Sequence, residues 1–301
     1  MFYDIREIEV SSFTISLEDG VVEKPKIVNI KSKCFRVLKD GFWGVFIGNV
    51  SDEEGIEEAK RNLIARGDSE IERCTSKGRY EMKPKIPPWD VDLEEKVSLL
   101  KDLHRSIAAR SVKISYIESL RRFRYRDSDG SEVEYAVPRV GISIIAVEKG
   151  KTLQFISKRL MNVGGFEKLK RAFELSDEIN EVLPKLVNAR SPPAGEMNVL
   201  MDSKLAGVFI HEAFGHAAEA DHVLQGSSVL SGKIGERIAG ENVTIVDDPN
   251  IEEFGFFPFD DEGIKAERKI LVENGILKSY LHSRETAKKL NGKPGNARSE
   301  G

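Results

Sequence analysis

Cysteine and glutamine are nearly missing from this 301-residue chain: Cys34 and Cys74 stand against Gln154 and Gln225. Two distant cysteines without Cys-x-x-Cys spacing argue against a disulfide. They read as small, half-buried hydrophobes in a reducing compartment. Sparse glutamine beside abundant Glu, Lys and Arg leans toward a thermophilic source. No apolar run approaches the ~18 residues of a membrane-spanning helix. The most apolar stretch, Val140–Val147, is only strand-length. The N-terminus, MFYDIREIEV, lacks the basic start and apolar core of a signal peptide, so a cytoplasmic location is expected. Excess charge of one sign is also missing: the net charge is -4 and the pI about 5.9, which argues against a nucleic-acid partner. The basic run Arg121–Arg126 faces Glu132 and Glu134 across a hairpin, where cross-strand ion pairing accounts for it.

What remains is a globular composition, 40% hydrophobic and 32% charged, long enough for two domains. The expected fold class is α+β, antiparallel sheets with packed helices. An N-terminal α+β domain would span 1–190 and a C-terminal domain 196–301. The first fifty residues alternate as strands closed by turns at Glu18-Asp19-Gly20 and Lys39-Asp40-Gly41, a meander. Ser51 caps a helix to about Ala65 and Asp92 another to about Arg110, with a linker over 67–90 between them. Residues 111–126 and 131–148 form a hairpin, 151–160 a further strand, and Phe166–Val187 an amphipathic helix. After a second linker, 188–196, a short strand Met197–Met201 precedes a helix from Lys204 to about Ala220. A glycine- and serine-rich loop, a strand at Val243–Val246, an aromatic and acidic loop, a hairpin (Lys269–Leu281) and a helix (Ser283–Leu290) complete the chain.

The helix over 204–220 contains His211-Glu212-Ala-Phe-Gly-His216. In His-Glu-x-x-His motifs two histidines at i and i+4 share a helix face and bind one zinc, with the Glu as general base on a zinc-bound water. Here the spacing is i and i+5, about 140° apart on a regular helix. The imidazoles converge only if the helix distorts, by a π-bulge near Gly215 or by ending there. Chance pairing of two histidines on a helix is the competing reading. His104 and His282 read as surface or capping histidines, and His222 as a surface one. Glu219 or Asp221 is placed to orient a histidine. Asp260-Asp261-Glu262 would line a peptide groove or hold a cation, or else form a solvated turn. Phe254, Phe256, Phe257 and Phe259 around it read as core or interface. Ser227 sits on a glycine-bearing loop suited to an active-site wall.

The stretch Gly207–Asp221 resembles the signature of the TldD/PmbA family of metalloproteases, also labelled modulators of DNA gyrase. Phe35–Gly44, Asp247-Asp248-Pro249, Phe259–Gly263 and Glu273–Leu277 with Tyr280 and Ala287 are similar to further family segments in the same order. The resemblance implies zinc ligands at His211 and His216, Glu212 as base, and a third ligand cysteine in a C-terminal segment of family members that this chain does not contain. It also implies an unfolded or modified peptide held in extended form as substrate, and a dimer that includes a PmbA- or TldE-like subunit. With HExxxH present, the chain resembles the TldD side. A catalytically inactive, truncated chain that binds peptides or assembles with a partner is the alternative.

Overall fold

The computed structural model describes residues 1–299. The N-terminal strands are longer than the expected pieces: β1 (Phe2–Glu18) and β3 (Lys26–Lys39) are each continuous, with a two-residue β2 (Val21–Val22) between them and β4 (Phe42–Ile47) after them. The β1–β2 and β3–β4 turns place Asp19-Gly20 and Asp40-Gly41 at positive φ, as type I′ hairpin turns require. At Gly41 glycine is needed twice over, since a Cβ there would lie 2.0 Å from the Gly67 carbonyl oxygen. Helix α1 (Asp52–Arg61) starts at Ser51, whose hydroxyl accepts from the Glu54 N–H. It stops four residues short of the expected Ala65, where the Asn62 amide turns back to the Val45 carbonyl.

The segment 67–90 is not only a linker. Its β5 (Lys77–Glu81) pairs in parallel with Glu132–Ala136, and Pro88–Asp90 forms a 3₁₀ turn. Helix α2 (Leu93–Ser106) ends before the expected Arg110, because β6 (Ser111–Asp127) begins there and pairs with β7 (Glu132–Lys149) in the expected hairpin. β8 (Leu153–Val163) follows, then a 3₁₀ turn and α3 (Ala172–Val187). The sheet has eight strands in the order β4-β3-β1-β6-β7, with β5 and β8 both on the far side of β7 and β2 on β1. It is antiparallel but for the β5–β7 pair.

The long strands serve two cores because their apolar parity switches midway. In β6, Val112, Ile114 and Tyr116 face α2 and α3, whereas Phe123 and Tyr125 face the opposite side. β7 does the same with Val140, Ile142 and Ile144 against Val133, Tyr135 and Val137. Since side chains alternate faces with period two, an odd number of steps between apolar sets moves burial across the sheet. The second face is covered by the C-terminal block, through Phe256 and Phe259. Phe257 is buried too, while Phe254 stays half exposed under the Arg139 guanidinium. Arg124 pairs with Glu134 across the hairpin as expected, but Arg126 pairs with Asp52 at 2.7 Å instead of Glu132.

Within the C-terminal block the expected strand Met197–Met201 does not form. Helix α4 (Ser203–Ile210), capped by Asp202, continues through irregular turns to α5 (Ala220–Leu224). A small sheet, β9 (Ile245–Asp247), β10 (Lys269–Glu273) and β11 (Ile276–Leu277), packs with Phe214, Ala218 and Val223 into its own core. Helix α6 (Arg284–Leu290) opens on a capping box at Ser283 and Thr286. Both cysteines are free and half-buried.

The block is fastened to the sheet by charge. Arg284 is 1% exposed and donates to Asp127 at 3.0 Å, to the Tyr125 hydroxyl at 3.1 Å and to the Glu72 carbonyl at 2.9 Å. Glu262 accepts from the Arg284 N–H and pairs with Arg36 at 3.2 Å and Arg6 at 3.6 Å, and Arg36 also clasps buried Asp4. Burial alone would favour neutral guanidines, but Asp4 and Glu262 hold Arg36 above its ordinary pKa; Tyr125, Cys74 and Asp127 do the same for Arg284. Arg284→Ala would strand Asp127 in the interior at a cost of about 3–5 kcal/mol. A urea-unfolding series should show that loss, and Arg284→Met with Asp127→Leu should recover most of it. A change below about 1 kcal/mol in the single variant would refute the fastening role.

Candidate metal centre

The expected distortion is a π-turn. Residues His211–Gly215 are π-helical, and the His216 N–H reaches back five residues to the His211 carbonyl. Three 3₁₀ residues, His216–Ala218, follow. The wider turn absorbs the extra residue, so i and i+5 take the place that i and i+4 hold on a regular helix. The two imidazole centroids lie 4.7 Å apart with rings inclined at 72°. One ligand atom each from His211, Glu212 and His216 falls within 4.8 Å of the others. Phe214, on the other side of the turn, is buried in the block's core, which leaves the motif's polar face outward.

The His216 ring is held from behind. Its Nδ1 lies 2.7 Å from a Glu219 carboxylate oxygen, which leaves Nε2 to face a metal. Glu219 is fixed in turn by the chain on both sides of it: the Ala220 N–H donates to the Leu281 carbonyl at 2.9 Å and the Leu281 N–H to the Ala218 carbonyl at 2.8 Å. The Glu212 carboxylate lies 4.0 Å from His216 Nε2 and is 66% exposed, open to a reactant. Two imidazoles and a carboxylate are zinc-binding chemistry, and the convergence of their ligand atoms fits that ion. Neither Cys34 nor Cys74 joins this group among the described residues. A second convergent set, Glu219, Asp221 and His222, lies alongside.

His211, His216, Glu219, Asp221 and His222 line a cleft of about 590 Å³ whose other wall is Leu281, His282, Ser283, Thr286 and Asn296–Arg298. The acidic loop acts from behind that wall. Asp260 is buried and accepts from the N–H groups of Glu262, Ile264 and Ala297; Asp261 is buried and accepts from the Ser299 N–H at 2.8 Å and pairs with Arg298. Burial, then the Glu262 charge, pushes Asp260 up to about 7. The solvated-turn reading fails, since all three carboxylates are buried; Ala297 and Arg298, held by Asp260 and Asp261, line the cleft. Ser227 bonds the His222 carbonyl at 3.1 Å and is not among the lining residues.

His282 corrects the expectation of a surface or capping histidine. It is 4% exposed, lines the cleft, and lies 3.3 Å from the Thr286 hydroxyl. Burial and nearby Lys269 push its pKa down to about 4. Its burial comes from α6 folding over it, with Gly292 against the ring, and no local pattern announces that. The unfolded chain takes up a proton at this residue near pH 6.5, before the folded one. The stability that neutral His282 contributes is therefore intact above about pH 6.5 and is lost as pH falls toward 4. In His282→Gln the slope of unfolding free energy over that window should flatten, and an unchanged slope would show that another group carries it.

The chain matches the PmbA/TldA metallopeptidase domain 1 over 3–66, the central domain over 86–185 and the C-terminal domain over 194–301. It is 59% identical to a metalloprotease of Archaeoglobus fulgidus over the whole chain and 71% of that protein, and 40% identical to one of Methanothermobacter thermautotrophicus over 99% of the chain and 68% of that protein. A Thermotoga maritima protein described as a modulator of a DNA gyrase superposes over the whole chain and 71% of its own length, with a TM-score of 0.84 at 26% identity. TldE of Thermococcus kodakarensis shares the fold over 99% of the chain and 71% of its own length, with a TM-score of 0.66 at 20% identity. The residues that converge on the cleft and the relatives of the whole chain agree: this chain belongs to the PmbA/TldA metallopeptidase family.

Proposed function

We propose that the chain is a zinc-dependent peptidase of the TldD type that hydrolyses unfolded or modified peptides, with His211 and His216 as ligands and Glu212 as general base. The convergence of the two imidazoles across a π-turn is the observation that carries this reading. A zinc ion held there would supply Lewis-acid polarisation of a scissile carbonyl and of a water. Glu212, adjacent and exposed, is suited to take a proton from an attacking water and deliver it to the leaving nitrogen. Glu219 holds His216 in one tautomer, Nδ1 protonated, so that Nε2 keeps its lone pair for a metal. The third protein ligand in this reading is the family's C-terminal cysteine. Residues 196–301 form the catalytic domain on the N-terminal 1–190, and the working form is a dimer with a PmbA- or TldE-like subunit, a partner whose fold the chain shares.

Glu212→Gln should keep bound zinc, measured by metal analysis after dialysis, while peptide hydrolysis falls by about 10²–10⁴. Full activity in that variant would remove Glu212 from the chemistry. Glu219→Gln should weaken zinc affinity about 10–100-fold, read by competition with a chromogenic chelator. Unchanged affinity would mean that the hydrogen bond to His216 does not tune the ligand.

A further inference from the structure

Cross-strand pairing with Glu132 and Glu134 does not account for Arg121, the first residue of the basic run. Arg121 lies opposite Val137, and Arg139, two residues further along β7, is its diagonal neighbour on the same face of the sheet. Both share the parity of Phe123, Tyr135 and Val137, so both turn toward the C-terminal block. There Arg121 meets Asp261 at 3.6 Å, and Arg139 donates to the Phe254 and Phe256 carbonyls at 3.3 and 3.1 Å. Arg298 arrives from the block itself. It lies 3.4 Å from the same Asp261 oxygen, with its guanidinium 4.5 Å from the Phe257 ring centroid.

Three guanidiniums therefore share one carboxylate, since Asp261 is the only acidic group that ion-pairs with any of them among the described residues. The Arg284 network differs: there Asp4, Asp127, Asp129 and Glu262 match Arg6, Arg36 and Arg284. Arg121 Nε is buried with no acceptor, and Asp261 Oδ1 receives no hydrogen bond although two cations face it. Burial first, then the Arg121 charge, pushes Arg139 below its ordinary pKa, as crowded cations should. Arg298 can leave Asp261 without stranding it. The Ser299 N–H and hydroxyl hold the other carboxylate oxygen at 2.8 and 3.1 Å, and Arg121 stays beside Oδ1. Arg298 is also the only Lys or Arg among the described residues that line the cleft, and its side chain is 37% exposed.

We infer that Arg298, backed by Arg121 and Arg139, forms a subsite of the cleft that takes a carboxylate of the bound ligand, from a chain end or an acidic side chain. A guanidinium offers paired N–H groups that match the two oxygens of a carboxylate, and one held against a ring and an acid is already oriented. The surplus positive charge behind it favours a further anion at a partly dry wall. Glu219 and Asp221 stand on the opposite wall. Charge is thus segregated across the cleft, and the carboxylate end of a ligand is drawn to Arg298 and away from the π-turn. Arg298 is a specificity-determining residue and takes no part in bond cleavage. That the ligand is a peptide rests on the peptidase reading above; the affinity for a carboxylate does not.

The test is a calorimetric titration of the chain, dialysed free of metal and chelator so that no zinc attracts the carboxylate, with two pairs of acetylated tripeptides. One pair is trialanine with a free or an amidated C-terminus; the other is amidated Ala-Glu-Ala or Ala-Gln-Ala. In at least one pair the carboxylate member should bind about tenfold tighter than its neutral twin, by an amount that shrinks as salt is raised. The pair that discriminates identifies the source, chain end or side chain. Arg298→Gln should erase the preference while circular dichroism and the urea midpoint stay unchanged, and Arg298→Lys should keep only part of it. Equal binding within both pairs, no binding of either carboxylate peptide, or a preference that survives Arg298→Gln would each overturn the assignment. Should the glutamine variant misfold, the native pairs and their salt dependence still decide. A carboxylate preference in a chain that binds no zinc when the metal is restored would fault only the peptidase reading.

Discussion

A guanidinium removed from water must find carboxylates there, and that constraint organises this molecule. Arg284 begins α6 and lies wholly inside, on Asp127 from the end of β6 and on carbonyls from the segment before β5. Its own backbone N–H is taken by Glu262, which also collects Arg36 and Arg6 from the first strands. Three distant parts of the chain are thereby fixed to one another. An uncompensated charge at any of these positions costs several kcal/mol, so the arrangement forms as a set. Hydrophobic contact between Phe256, Phe259 and the sheet supplies area; the ion network supplies register, because charges must meet specific partners.

The cleft inherits its shape from that network. α6 sets Ser283 and Thr286 on one wall, and Asp260 and Asp261, next to Glu262, hold the backbone of Ala297 and Ser299 behind another. The π-turn faces them, anchored inward by Phe214 and tied through Ala218 and Ala220 to Leu281. Carboxylates in this block thus divide their labour by burial. Glu212 and Glu219 are exposed enough to act on a reactant or an imidazole, while Asp260, Asp261 and Glu262 spend their lone pairs on the protein itself.

Much of this was legible along the chain. The hairpin over β6 and β7 announced itself by alternation closed at Asp127–Gly130, and the i, i+5 histidine spacing by itself implied a distorted helix if the two rings were to meet. Other features carried no local signal. β5 is polar and pairs in parallel with a strand some fifty residues on, so period-two hydrophobicity could not reveal it. Met197–Met201 has strand-like composition but no partner strand among the described residues, and composition does not supply one. The burial of Asp260–Glu262 and of His282 depends on what folds over them.

For the paired histidines, the sequence alone determined the donor types, their spacing and the base between them, because these are properties of consecutive residues on one helix. Whether the rings meet was a matter for the tertiary structure. A π-turn costs helical hydrogen-bond geometry, and it persists here where Phe214 and Ala218 are packed into a core made by β10, β11 and Tyr280. Local propensity does not encode that packing, and the meeting of His211 and His216 rests on it.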